Sequence, residues 1–340
     1  MNYACFNQWD GLQWPIFKEK VFNGNYEKIV LFGQNEWAWY HQNPEFYEVL
    51  EYCKERNIPF EIITGAHEYL YPVKMDYVKI HWWDTYWIGK TYQDLICNAE
   101  HTGNPPKAMN PYEETKYEHH FISMNNRPHK HRCLFLDLMA KHDLMKYGAL
   151  SIRQEDPIMY KWKYFNYKQM FLSDGEQYDQ YKLPNQYYSS FAQIISESSS
   201  EVLMISEKTA TPLILGKPFL VASQMHFHKM LRGMGFELYD EIFDYAFDDE
   251  PDEEKRYEMI MQNFDRLCKI PLKNLGSLQQ RIAPKIMHNR SKAKEISYNL
   301  DLYPKVALEA IDYYKETGIE LDHRMIQVHL NLERYQKVKF

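Results

Sequence analysis

The chain has no long apolar run, no paired-cysteine motif, no basic excess and no internal repeat, and each absence removes a class of protein. No stretch approaches the ~20 apolar residues that span a bilayer, so a soluble protein without a transmembrane segment is expected. The opening "MNYACFNQWDGLQW" lacks a charged segment followed by an apolar one, so no signal peptide is expected. The 5 cysteines (Cys5, Cys53, Cys97, Cys133 and Cys268) are scattered, with no C-x-x-C pair. Such a set argues against a disulfide framework and suits reduced thiols in a cytoplasmic compartment. Lys and Arg number 40 against 47 Asp and Glu, a net charge of −7. That balance excludes non-specific nucleic-acid binding as the main role while leaving room for a local basic pocket.

What the chain does have is size and aromatic content. Its 340 residues are too many for one small core, so two domains or one large α/β domain are expected. Aromatic residues make up 16%, with 28 Tyr and 8 Trp, a composition suited to stacking on planar or ring-shaped ligands.

The order of hydrophobic patterns predicts an α/β protein. "KIVLFGQ" (28–34), "PFEIITG" (59–65) and "DYVKIHWW" (76–83) read as strands, the first as a buried one. Between them "PEFYEVLEYCKERN" (44–57) reads as a helix with Phe46, Val49, Leu50 and Cys53 on one face. The Pro- and Asn-rich segment 104–120 reads as a linker, after which the alternation restarts. "HHFISMN" (119–125), "SFAQIISES" (190–198) and "PFLVAS" (218–223) are further strands, and "KHRCLFLDLMAKHDL" (130–144) is an amphipathic helix. "DEEKRYEMIMQNFDRLC" (252–268) is a helix whose acidic first turn suits the helix dipole, and helices dominate from Ser277 onward. The expected division is residues 1–117 and 118–340, with ligands at the carboxyl ends of the strands in the cleft between.

Two stretches carry candidate chemistry. "SMNNRPHKHR" (123–132) leaves a strand and enters a helix, so backbone amides, a helix start and the cations Arg127, Lys130 and Arg132 gather where an anion can sit. The bland alternative is a basic helix entry on the surface. "SEKTATPLILGKPFLV" (206–221) places Glu207 and Lys208 at the start of a second, apolar helix. Helix capping is one account of that pair. The other is a site where Arg and Lys clamp a diphosphate and Glu accepts from ribose hydroxyls.

The segment "SSFAQIISESSSEVLMISEKT" (189–209) resembles the signature of the α1,3-fucosyltransferase family, a strand ending Glu-Asn-Ser followed by Tyr-Val-Thr-Glu-Lys. The counterparts are Glu197-Ser198-Ser199 and Met204-Ile205-Ser206-Glu207-Lys208. "ISMNNRPHKHR" is similar to the family's strand ending Ser-Asn with an Arg six residues on, here Asn126 and Arg132. "KIVLFGQNE" (28–36) is similar to its strand ending Thr-Gly-Glu-Asn-Glu. The run "EKTATPLILGKPF" is closest to divergent members from large viruses and phages.

The resemblance implies a GT-B-like fold: two Rossmann-like domains facing a cleft, an N-terminal acceptor side and a C-terminal nucleotide-sugar side with C-terminal helices. It implies transfer of fucose or another hexose from a GDP- or UDP-linked donor to a glycan or lipopolysaccharide-type acceptor, with inversion and no required metal or other cofactor. For a viral member the expected location is the host cytoplasm. The expected donor-binding residues are Asn126, Arg127, Arg132, Glu197, Ser198, Glu207 and Lys208. Arg132 and Lys208 would neutralise the departing diphosphate. Inversion also needs a base for the acceptor hydroxyl. The family's Glu is Gln34 here, which cannot accept that proton, so Glu36, Glu68 or Asp84 are the substitutes. If none serves, the reaction is retaining or the chain binds nucleotide sugar without turnover.

Three other patterns are weighed against simpler accounts. "HWWDTYWIGKTYQ" (81–93) offers Trp82, Trp83, Tyr86 and Trp87 as an acceptor platform for sugar C–H faces, or as hydrophobic core. The pairs His119-His120, His129-x-His131 and His226-x-His228 have metal-like spacing but no recognisable acidic or Cys partner. "DYAFDDEPDEE" (244–254) lacks the central Gly of a calcium loop and reads as a helix cap.

Overall fold

The structure, a computed structural model, describes residues 3–7, 14–32, 44–65, 77–97, 106–155, 160–172, 183–200 and 202–317. Packing divides the chain into two compact units. The first comprises Met1–Gln93, Met204–Ser206 and Glu295–Phe340, and the second comprises Asp94–Leu203 and Glu207–Lys294. The division falls at 93/94 where the sequence suggests 117/118, and the described residues from Glu295 to Thr317 group with the first unit.

The first unit carries a parallel sheet in sequence order, β1 (Tyr3–Asn7), β2 (Lys28–Phe32), β3 (Phe60–Thr64) and β4 (Val78–Trp82). Helices α1 (Trp14–Asn23) and α2 (Pro44–Glu55) connect the first three strands. The amphipathic reading of 44–57 holds, since Phe46, Val49, Leu50 and Cys53 are the buried residues of α2. They pack with Phe17 and Val21 of α1 and with Ile29, Leu31, Phe60 and Ile62 of the sheet. Strands buried on both faces tolerate few polar residues, which is why β2 and β3 read as apolar runs.

The exception in β3 is Glu61. Its carboxylate lies 2.9 Å from Lys28 of β2 and 2.5 Å from His81 of β4. Burial works to raise its pKa, but Lys28 and His81 outweigh burial and hold the carboxyl below its ordinary range. The three side chains offset one another's desolvation in the middle of the sheet.

In the same unit β4 leads into α3 (Tyr86–Tyr92). In the second unit the sheet is again parallel, built from β5 (His119–Asn125), β6 (Gly148–Ile152), β7 (Ser190–Ser196) and β8 (Phe219–Ala222), in the order β6-β5-β7-β8. Its helices in chain order are α4 (Lys130–Lys141), α5 (Asn185–Ser189), α6 (Glu207–Leu215), α7 (Phe227–Gly233) and α8 (Glu253–Cys268). Helix α9 (Leu272–Tyr298) follows, and α10 (Lys305–Thr317) belongs to the first unit. Asp252 caps α8 by accepting the Lys255 N–H at 2.9 Å, as the acidic run before it predicts. Cys53, Cys133 and Cys268 are free and buried, in line with structural thiols. Among the described residues no helix is long and apolar enough to cross a membrane.

Candidate functional site

From β5 the chain proceeds to β6 on one side, then crosses to β7 on the other. A reversal of this kind opens a crevice at the carboxyl ends of the two central strands, where α/β proteins hold their ligands. Here those ends are Asn125 of β5 and Ser196 of β7. Phe121 pairs with Ala192 and Ile122 with Gln193, and carrying that register forward sets Asn125 opposite Ser196. The two conspicuous sequence motifs, 122–132 and 197–209, are the segments that leave these two strands.

Arg132, in the first turn of α4, is only 4% exposed. Its Nη1 donates to the Arg127 carbonyl at 3.2 Å and its Nη2 to the Glu197 carbonyl at 3.1 Å. The guanidinium therefore ties the two exit segments together and fixes a positive charge between them. His131 makes the same link, its Nε2 donating to the Glu197 carbonyl at 2.9 Å. Glu197 is fully buried, with one carboxylate oxygen accepting the Ser198 N–H at 2.8 Å and the other the Thr209 hydroxyl at 2.7 Å. This corrects its expected donor-binding role. The carboxylate is engaged inside the protein and joins the end of β7 to the start of α6.

Glu207 and Lys208 open α6 with side chains 23% and 24% exposed. Lys208 donates to Glu207 Oε1 at 2.7 Å and to the Ser198 hydroxyl at 2.9 Å. Burial acts to raise the Glu207 carboxyl, but Lys208 and then Arg132 outweigh it and hold the group below its ordinary range. The second oxygen, Glu207 Oε2, is shielded from solvent and has no hydrogen-bond partner. A shielded, ionised oxygen without a donor is costly unless a ligand or water supplies one.

The surrounding field is positive. Burial, reinforced by Arg132, Arg127 and Lys208, lowers the His129 pKa to about 4. Burial and Arg132 lower that of His131 to about 3, with Lys208 contributing. Burial is the main reason that both imidazoles stay neutral, and the neighbouring cations add to it. Asn126 and Arg127 are exposed. The Asn126 carbonyl accepts from the amides of Arg153 and Gln154, at 3.2 and 3.0 Å.

The structure thus gathers Arg127, Arg132, Ser198, Glu207 and Lys208 at one strand-end crevice of the second unit. Asn125 and Ser196 were missed by the sequence reading. Asn125 Oδ1 and the Ser196 hydroxyl are buried without hydrogen-bond partners at the adjoining strand ends. Their only signal in the sequence is a polar residue closing an otherwise apolar strand.

The remaining expectations fall in the first unit. Gln34, Glu36 and Glu68 lie outside the described residues. Asp84 stands between β4 and α3, half-buried. Trp83, Tyr86 and Trp87 are 2%, 1% and 8% exposed, and Trp82 is half-buried. Trp83 packs edge-on against Tyr86 at 5.1 Å and Tyr303 at 4.6 Å. A stacking platform needs open ring faces, so Trp83, Tyr86 and Trp87 are corrected to packing residues.

The histidine pairs also resolve as structure. His120 bonds the Ile270 carbonyl at 2.8 Å. His228 donates from Nδ1 to Asp248 at 2.9 Å and accepts the Val221 N–H at Nε2, at 3.3 Å, closing the edge of β8. Among the described residues no three His, Cys, Asp or Glu side chains are placed to hold a metal ion. Scans against protein-family models and curated proteins return no match for the chain.

Proposed function

We propose that the chain is a glycosyltransferase that moves a hexose from a nucleoside-diphosphate sugar to a glycan acceptor, as the motif resemblance to α1,3-fucosyltransferases and their viral and phage members suggests. The observation that carries this reading is the strand-end crevice of the second unit. There the cations Lys208 and Arg132 act on Glu207, whose shielded oxygen has no donor. Lys208 and Arg132 take the diphosphate and stabilise the charge that develops as the glycosidic bond breaks. Glu207 accepts from the ribose hydroxyls. Glu36 or Asp84 takes the acceptor proton, with inversion as the outcome. Gln34 supports a second reading, in which the crevice binds nucleotide sugar without turnover.

The test is thermal melting with GDP and UDP beside product analysis on a panel of nucleotide sugars. Wild type should be stabilised by one nucleotide and release free nucleoside diphosphate. Lys208→Gln should lose roughly 2–5 kcal/mol of nucleotide affinity, as expected for one member of a partly buried charge-assisted contact. Stabilisation without release selects the binding reading, and no stabilisation by any nucleotide refutes both.

A further inference from the structure

The segment "YKWKYFNYKQMF", residues 160–171, contains six aromatic residues and three lysines in twelve positions and no acid, within a chain of net charge −7. It forms neither helix nor extended strand, yet it is pinned along its length. The Asp137 carboxylate, on α4 and 2% exposed, accepts the successive amides of Lys163, Tyr164 and Phe165 at 3.0, 2.8 and 2.8 Å. Met170 and Ile152 exchange backbone hydrogen bonds of 2.9 and 3.0 Å in an antiparallel bridge. The Tyr167 hydroxyl donates to the Gln154 carbonyl at 2.5 Å and Gln169 Nε2 to the Arg153 carbonyl at 2.7 Å.

The rings divide into two sets. Trp162 packs against Tyr160, Phe165 and Tyr167 with centroids 4.9, 5.4 and 5.1 Å away, which makes a small aromatic keel. Tyr164 and Phe171 instead stand 53% and 55% exposed, and Lys161, Lys163 and Lys168 are exposed beside them. A loop of this composition gains by folding its rings inward, and the keel shows that the segment does so where it can. A buried carboxylate spent on fixing the backbone, while two rings and three ammonium groups face water, describes a preorganised binding surface. The anchors Arg153 and Gln154 both donate to the Asn126 carbonyl, so the strap adjoins the strand-end crevice.

We propose that residues 160–171 form a strap that binds an anionic glycan, a chain bearing carboxylate or phosphate groups. Sugar C–H faces rest on Tyr164 and Phe171, and the acid groups meet Lys161, Lys163 and Lys168. This deepens the glycosyltransferase reading and rests on it, because it names the acceptor as an acidic glycan. Charge complementarity selects that occupant. Three separated lysines, without an arginine to grip phosphate in two places, suit spaced charges on neutral rings.

The experiment measures binding of the full chain to immobilised oligogalacturonate, a phosphorylated oligosaccharide and a neutral maltooligosaccharide, with single-stranded oligo-dT as rival. Wild type should hold one acidic glycan at least ten-fold more tightly than the neutral one. Tyr164→Ala with Phe171→Ala, and separately Lys161→Gln with Lys163→Gln and Lys168→Gln, should each weaken that binding at least ten-fold. Stabilisation by GDP or UDP should not change in either variant. Equal binding by variants and wild type overturns the proposal, as does tighter binding of oligo-dT than of any glycan. Donor hydrolysis is read separately. Its absence with strap binding intact refutes the transferase and leaves the glycan site standing.

Discussion

Lys217 offers the sharpest physical test of the second unit. It lies in the turn between α6 and β8 and is 0% exposed. Its ammonium donates to the Ser190 carbonyl and sits 4.8 Å from the centroid of the Tyr187 ring. Among the described residues no carboxylate compensates for burial, which lowers the pKa from 10.5 to about 7. Across that interval, at 1.36 kcal/mol per pH unit, the folded protein carries a penalty of about 5 kcal/mol whenever the amine is charged. The sign follows from proton counting. Between pH 7 and 10.5 the unfolded chain binds the proton and the native state does not, so Lys217 makes stability rise with pH through this window. Below about pH 7 both states are protonated and the full penalty applies. Lys217→Met keeps the stem, removes the charge and gives up the hydrogen bond and the ring contact, about 1–3 kcal/mol together. The variant should therefore be about 2–4 kcal/mol more stable than wild type at pH 6, with the advantage gone by pH 10. Urea unfolding of both proteins at pH 6, 7.5, 9 and 10 measures the difference. An advantage that does not shrink as pH rises, or a variant less stable at pH 6, refutes the reasoning. Ser190 and Phe219 begin β7 and β8, so Lys217 sits at the opposite end of the sheet from the crevice, and nucleotide stabilisation should be unaffected.

Two further outcomes test the architecture around the site. Asp137→Ala should release the amides of Lys163, Tyr164 and Phe165, raising their hydrogen exchange by about 100-fold while global stability falls by about 2–3 kcal/mol. Unchanged exchange there would mean that the ring contacts and the bonds of Tyr167, Gln169 and Met170 hold the strap without Asp137. Gly216 has φ of +81°, and a Cβ there would meet Arg290 Cδ at 2.8 Å and Ile286 Cγ2 at 3.1 Å. Gly216→Ala should cost about 1–3 kcal/mol in chemical unfolding, from left-handed backbone strain and the crowding of α9. A neutral substitution would show that this turn is free to rearrange.

How much of this was legible in the sequence depended on how local each cause is. The strands Lys28–Phe32, Phe60–Thr64, Val78–Trp82, His119–Asn125, Ser190–Ser196 and Phe219–Ala222 were visible because a buried parallel strand writes its own apolar run. β6, "GALSI", was passed over, since an edge strand of five small and mixed residues gives little signal. Arg132 was recognised as a cation of the site, but its burial between two carbonyls depends on the Glu197 backbone, 65 residues on. The strap escaped for the same reason, because Asp137 lies 26 residues from the first amide it holds. Trp83 misled because composition cannot tell a ring that rests on a sugar from one packed edge-on against Tyr303.

The question of why two opposite charges stand at the mouth of an apolar helix has an answer in the proposed function. A helix start carries partial positive charge, which favours Glu207 and disfavours Lys208. Capping alone would be served by the glutamate. With its side chain 24% exposed, the 2.7 Å pair is worth at most about 1 kcal/mol to stability, so holding the fold together does not explain the lysine. Arg132 lies close enough to add to the field at Glu207, so that carboxylate faces two cations. On the proposed function, a diphosphate entering the crevice would compete with Glu207 for Lys208. Glu207 Oε1 then loses its ammonium donor while Oε2 already lacks one, and a ribose diol presents two hydroxyls that satisfy both oxygens. In the proposed function the pair would act as a placeholder: Glu207 orders and partly neutralises the lysine in the empty site, and would become the ribose acceptor once a donor is bound.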